Sequence, residues 1–120
     1  PIWDNKKSQL KQQEWKAQLE ATEANYEWTK NAFDLQIESE IENLRSDIAL
    51  YNSFTDLLKT NERFYQETVR RYKEGLSNYI ERLDARTEVT STQLEQNLAK
   101  YQSWIRHVNI ERMAASAPIK

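Results

Sequence analysis

The sequence predicts an all-α protein, a long antiparallel helical hairpin of coiled-coil type with unequal helices over about 5–73 and 78–114 and a turn at Gly75. Three observations lead to this. Breakers are almost absent: there is one glycine, Gly75, and the two prolines, Pro1 and Pro118, sit at the ends. Turns need residues that accept a positive φ or fix φ, so a chain this poor in them is built of few, long elements. Good helix formers (Gln, Glu, Lys, Ala, Leu) dominate the stretch before Gly75, and apolar residues recur there at spacings of three and four.

Taken in order, Pro1-Ile2-Trp3 is a short apolar lead-in that reads as extended chain, and Asp4 is the expected N-cap of the first helix. A helix over 5–73 would be roughly 100 Å long at ~1.5 Å per residue. Its expected seam is Ile37, Ile41, Leu44, Ile48, Tyr51, Thr55, Leu58, Glu62, Tyr65, Val69 and Tyr72, a heptad row broken in apolarity only at Thr55 and Glu62. Trp15, Leu19, Thr22, Tyr26, Thr29 and Phe33 form a similar row in another phase, and the two rows do not join cleanly between Phe33 and Ile41. A second apolar row (Leu35, Leu50, Phe54, Leu57, Phe64) indicates that more than one face is covered.

Around Gly75 several local signals agree. Arg70, Arg71 and Lys73 place positive charge in a last helical turn. Gly75 suits the left-handed position just past a helix end. Ser77 or Asn78 can cap the next helix, and Asn78 with Glu81 has capping-box spacing. The expected seam of the second helix is Leu76, Ile80, Leu83, Thr87, Thr90, Leu94, Leu98, Tyr101, Ile105 and Val108. Its middle, Thr87 to Gln93, is polar and small, so a helix there must be held by packing. Folded at Gly75, the second helix pairs with about 37–73 of the first. Residues 5–36, which carry Trp15, Tyr26, Trp28 and Phe33, then have no second helix of the chain to pack against, at a cost set by ~25 cal/mol per Å2 of exposed apolar surface.

Composition excludes several functions. The net charge is −2 with both signs interleaved, which does not make the basic face of a nucleic-acid binder. Without cysteine there is no disulfide or thiolate site. No apolar run approaches the ~20 residues of a membrane-spanning helix. No phosphate loop, nucleophile motif or cofactor motif is present, so no enzyme and no cofactor is expected.

With the helices placed, Arg71 to Arg86 reads Arg-Tyr-Lys-Glu-Gly-Leu-Ser-Asn-Tyr-Ile-Glu-Arg-Leu-Asp-Ala-Arg, and the second helix ends Asn109-Ile110-Glu111-Arg112-Met113-Ala114. Together with Pro1-Ile2-Trp3 and the long polar helix, this resembles the C-terminal repeat of the TolC-like outer membrane factor family over essentially the whole chain. The most specific part is Tyr72, Gly75, Glu81, Leu83, Asp84 and Ala85, which match that family's Tyr-x-x-Gly-x-x-x-x-x-acid-x-Leu-Asp-Ala stretch. The resemblance implies a homotrimeric export channel in the outer membrane of a Gram-negative bacterium, with this chain a hairpin of its periplasmic α-barrel. Residues 1–4 would end a membrane barrel strand, and the first repeat and the strands would lie outside these 120 residues. It implies a passive conduit, served by an inner-membrane pump through a periplasmic adaptor docking at Glu74, Gly75, Leu76 and Ser77. It implies gate or tunnel roles for Tyr72, Glu81 and Asp84. Some members carry arginine where this chain has Ser77, and serine cannot make the charged bidentate contact.

Each of these residues also has a plainer reading. Gly75 can be only a helix cap, Tyr72 and Glu81 a packing and a capping group, and Asp84 an exposed acid. Thr87–Gln93 reads as tunnel lining or as an ordinary solvated face. His107 has no second ligand at metal spacing, and acid pairs such as Glu38 with Glu42 belong to solvated helix faces. The competing function is a structural or scaffolding coiled coil, spectrin-like or membrane-remodelling, with no transport role.

Overall fold

Two helices account for nearly all of the described residues. α1 runs from Ile2 to Lys73 and α2 from Tyr79 to Ala115, in a computed structural model that describes residues 2–117. The fold is an all-α hairpin drawn out to 110 × 17 × 15 Å. The long axis equals the length of α1 itself, since 72 residues at ~1.5 Å each come to about 108 Å. The turn falls at Gly75 as the sequence predicts.

The start of α1 differs from expectation. Ile2 and Trp3 are helical rather than extended, and Asp4 lies in the first turn rather than at the cap. Nothing from Ile2 onward interrupts helical hydrogen bonding, so the helix extends as far as the described chain does; Pro1 lies outside the described residues. At the other end Ser116 caps α2, its N–H bonding to Arg112 and Met113 carbonyls at 3.1 and 3.2 Å. The expected stop at Pro118 lies outside the described residues.

The larger correction concerns which faces meet. On α1, Ile37, Leu44, Tyr51, Thr55, Leu58, Tyr65 and Val69 of the expected row are half-buried, but Ile41, Ile48, Glu62 and Tyr72 are exposed. Glu40, Asp47, Phe54, Asn61 and Thr68 complete the observed seam. On α2 every member of the expected row is exposed, with Leu94 at 60% and Ile105 at 62%. The face turned to α1 is Arg82, Ala85, Val89, Thr92, Gln96, Ala99, Ser103, Arg106, Ile110 and Met113, an unbroken three-four repeat of mostly small and polar residues. Only Thr68, Ala85, Thr92 and Ala99 are buried among the described residues.

The apolar term alone would rotate α2 by half a turn. A set of polar contacts between the helices holds it in the observed phase. Ser77 Oγ donates to the Thr68 carbonyl at 3.4 Å. Asn61 Nδ2 donates to Thr92 Oγ1 at 2.8 Å, and Thr92 in turn donates to the Glu88 carbonyl of its own helix. Gln96 Nε2 donates to Thr55 Oγ1 at 2.9 Å, and Thr55 donates to the Tyr51 carbonyl. Arg106 bonds Asp47 through Nε and Glu40 through Nη1. These rungs recur about every two turns along α1. Turned outward, the same groups would trade each bond for water, and the close approach allowed by Ala85 and Ala99 would be lost.

α2 stops short of half of α1, and every residue from Ile2 to Thr29 is exposed. Trp15 and Trp28 are 74% and 73% exposed. The row Trp15-Leu19-Thr22-Tyr26-Thr29-Phe33 leads into the observed seam at Ile37 and Glu40 through one extra interval of four. The two phases are thus one row with a single stutter, which locally unwinds the supercoil.

Candidate functional site

The turn is built as its sequence dictates. Gly75 has φ +74°, the left-handed region. Its N–H bonds the Tyr72 carbonyl at 3.0 Å, and the Leu76 N–H bonds the Arg71 carbonyl at 2.8 Å. This pair of bonds is the Schellman arrangement, which uses carbonyls that the end of a helix leaves unpaired. α2 then starts on Asn78, whose side-chain oxygen accepts from the Glu81 N–H at 2.9 Å. A Cβ added at Gly75 would meet nothing within 4 Å. The expected cost of Gly75→Ala is therefore conformational only, about 1–2 kcal/mol. It is checked by urea unfolding followed by circular dichroism, and a neutral or stabilising result would show that the turn does not need its left-handed residue.

The four residues predicted to form a docking tip are together but not alike. Leu76 is 64% exposed. Glu74 is held by Arg70, whose Nη1 contacts both carboxylate oxygens at 3.0 and 2.9 Å. Ser77 is half-buried and turned back onto Thr68. Arg70 also bonds Glu67, and that hydrogen bond, more than its charge, holds the Glu67 carboxyl below its ordinary value. Both acids are about half exposed, so this collar around the end of α1 orders side chains more than it stabilises the fold.

Of the residues predicted as a gate, Tyr72 packs edge-on against Tyr79, with ring centroids 6.2 Å apart, and Arg82 sits over its ring at 5.3 Å. Glu81 and Asp84 are exposed on α2. Sequence reasoning missed Tyr79 and Arg82. Their signal was an aromatic one residue past the expected N-cap and a cation three residues further on, which a sharp turn at Gly75 sets beside Tyr72. Tyr79, Ile80 and Leu83 extend the exposed apolar surface of Leu76 along α2.

The outer face of α2 is the second candidate. Its polar middle is less polar than it reads, because the Thr87 and Thr90 hydroxyls donate to the Leu83 and Arg86 carbonyls at 2.9 and 3.1 Å. This spends their donors on the helix itself and leaves the methyl-bearing side chains as the outward surface. They and Ser91 floor a shallow notch of about 590 Å3 between Leu83 and Leu94. The result is one row from Ile80 to Val108, opposite the face that meets α1. His107 pairs along its own helix with Glu111 at 3.0 Å.

No helix among the described residues is long and apolar enough to cross a membrane, and no three His, Cys, Asp or Glu side chains converge there as metal ligands would. Comparison with protein-family models, with curated proteins and with solved structures finds no match to this chain.

Proposed function

We propose that this chain is a periplasmic tunnel segment of a trimeric outer membrane export channel of the TolC type, a passive conduit that docks a periplasmic adaptor of an inner-membrane pump at its turn. The observation that carries the reading is the two-sidedness of α2. One heptad face meets α1 and a second, more apolar heptad face on the opposite side meets nothing in the chain. A helix in the wall of a closed tube needs a neighbour on each side, and a helix in a lone hairpin needs only one. The Tyr72–Ala85 motif, with Gly75 in its left-handed turn, supports the same reading.

In this reading the adaptor meets Leu76, Gly75 and the paired Glu74, with Tyr79 beside them, while Ser77 serves the turn. Tyr72 with Arg82 orders the tip, and Glu81 and Asp84 face the lumen or the neighbouring helix. The competing reading, a scaffolding coiled coil, is favoured by the bare row on residues 2–29. One graft separates the two. Residues 2–117 replace the second periplasmic hairpin of a TolC-type channel in cells lacking their own. Trimers that restore efflux are expected, with Leu76→Asp abolishing efflux but not assembly. A graft that folds but never assembles into the channel wall would overturn the conduit reading.

A further inference from the structure

We propose that two copies of this chain pair through the outer row of α2, antiparallel and two-fold symmetric about Leu94. From Ile80 to Val108 the row advances by 3, 4, 3, 4, 4, 3, 4 and 3 residues, and it reads the same from either end. The two adjoining fours meet at Leu94. Such a stutter changes the local winding of a coiled coil, and two partners fit only where their stutters lie at one level. For two identical antiparallel helices that level is the symmetry axis, with Leu94 of each copy on it.

This register also matches side chains by size. Thr87 meets Tyr101 of the other copy, Thr90 meets Leu98, and Leu83 meets Ile105. The notch floored by Thr87 and Thr90 receives Tyr101 and Leu98 of the other copy. A parallel pair in register would instead set Thr87 against Thr87 and Tyr101 against Tyr101, one layer underfilled and another overfilled. The seam is about 42 Å long. It leaves α1 undisturbed, because α1 packs on the opposite face of α2. Glu95 of each copy lies beside the axis on the same flank, so the pairing gains from added salt rather than losing by it. The proposal concerns copies of this chain alone and stands apart from the conduit reading, in which the same row would meet helices of another sequence.

The chain has no cysteine, so single cysteines report the register directly. Light scattering on the full chain is expected to give a dimer that tightens with sodium chloride, and Leu94→Asp a monomer of unchanged helicity. Under mild oxidation, Leu94→Cys chains cross-link to each other, and so does an equal mixture of Thr87→Cys and Tyr101→Cys chains. Both do so at least an order of magnitude faster than Thr87→Cys alone. A monomeric or trimeric wild-type chain overturns the proposal, as does Thr87→Cys cross-linking to itself as fast as Leu94→Cys. Should Leu94→Asp lose its helix, the cysteine comparison decides, since those substitutions leave the row nearly intact.

Discussion

Ala85→Leu is expected to weaken the hairpin by about 1–3 kcal/mol, although it replaces one strong helix former with another and adds apolar volume to the seam. Two effects compete. A leucine side chain removed from water is worth about 1.5–3 kcal/mol, so a loose seam would be stabilised by it. A tight seam has nowhere to put it. Ala85 is 2% exposed and lies between two cross-links, Ser77 to Thr68 and Asn61 to Thr92, the second at 2.8 Å. Moving the helices apart to admit the extra carbons would stretch both bonds and strand the buried Thr92. Overpacking therefore wins. Ala99, 4% exposed between the Gln96 and Arg106 contacts, should respond the same way. Urea unfolding followed by circular dichroism measures the change. A gain in stability at both positions would mean that the helices are not held close, and the polar rungs would lose their role in fixing the phase of α2.

How much of this was legible in the sequence follows from what each residue can announce. Gly75, the basic last turn and Asn78 located the bend because each acts through its own backbone, and no distant partner is needed to read it. The number and lengths of the helices followed from the lack of other breakers. The phase of α2 was not legible. Arg82, Ala85, Val89, Thr92, Gln96, Ala99, Ser103 and Arg106 form an unbroken three-four repeat, but Val89 is its one strongly apolar member before Ile110 and Met113 at the end, so a reading keyed to hydropathy passes over them in favour of Leu94, Leu98 and Ile105. That reading assumes that the most apolar face is satisfied within the chain, and here it is not. On α1 Ile37, Leu44, Tyr51, Thr55, Leu58, Tyr65 and Val69 of the expected row are half-buried, so seven of its eleven members came out correctly. At the tip the sequence placed Tyr72 but not its partners, because the Tyr79 and Arg82 contacts exist only once the turn has brought α2 back beside α1.

Arg106→Met is expected to loosen the open end of the hairpin far more than the tip. Arg106 is 24% exposed along its side chain and is the one cation joined to both Asp47, 12% exposed, and Glu40, 29% exposed. The hydrogen bond that Arg106 donates to Asp47, with the one it donates to Glu40 behind it, raises the guanidinium's hold on its proton, so the cation persists at any working pH. Methionine keeps much of the stem's packing and removes only the charge and the donors. Two carboxylates are then left facing the seam with no cation between them. Removing one partner of such a cluster costs more than the cluster gave, because the remaining charge stays in place without compensation. Amide exchange over 103–115 should speed up by an order of magnitude or more, while 79–92 keep their protection behind the Asn61 and Ser77 contacts. Adding Asp47→Asn to Arg106→Met should recover part of the loss, because it removes one of the two uncompensated carboxylates. No recovery in the double variant, or exchange that quickens evenly along both helices, would show that Arg106 contributes by packing and that its two carboxylates do not set the register of the open end.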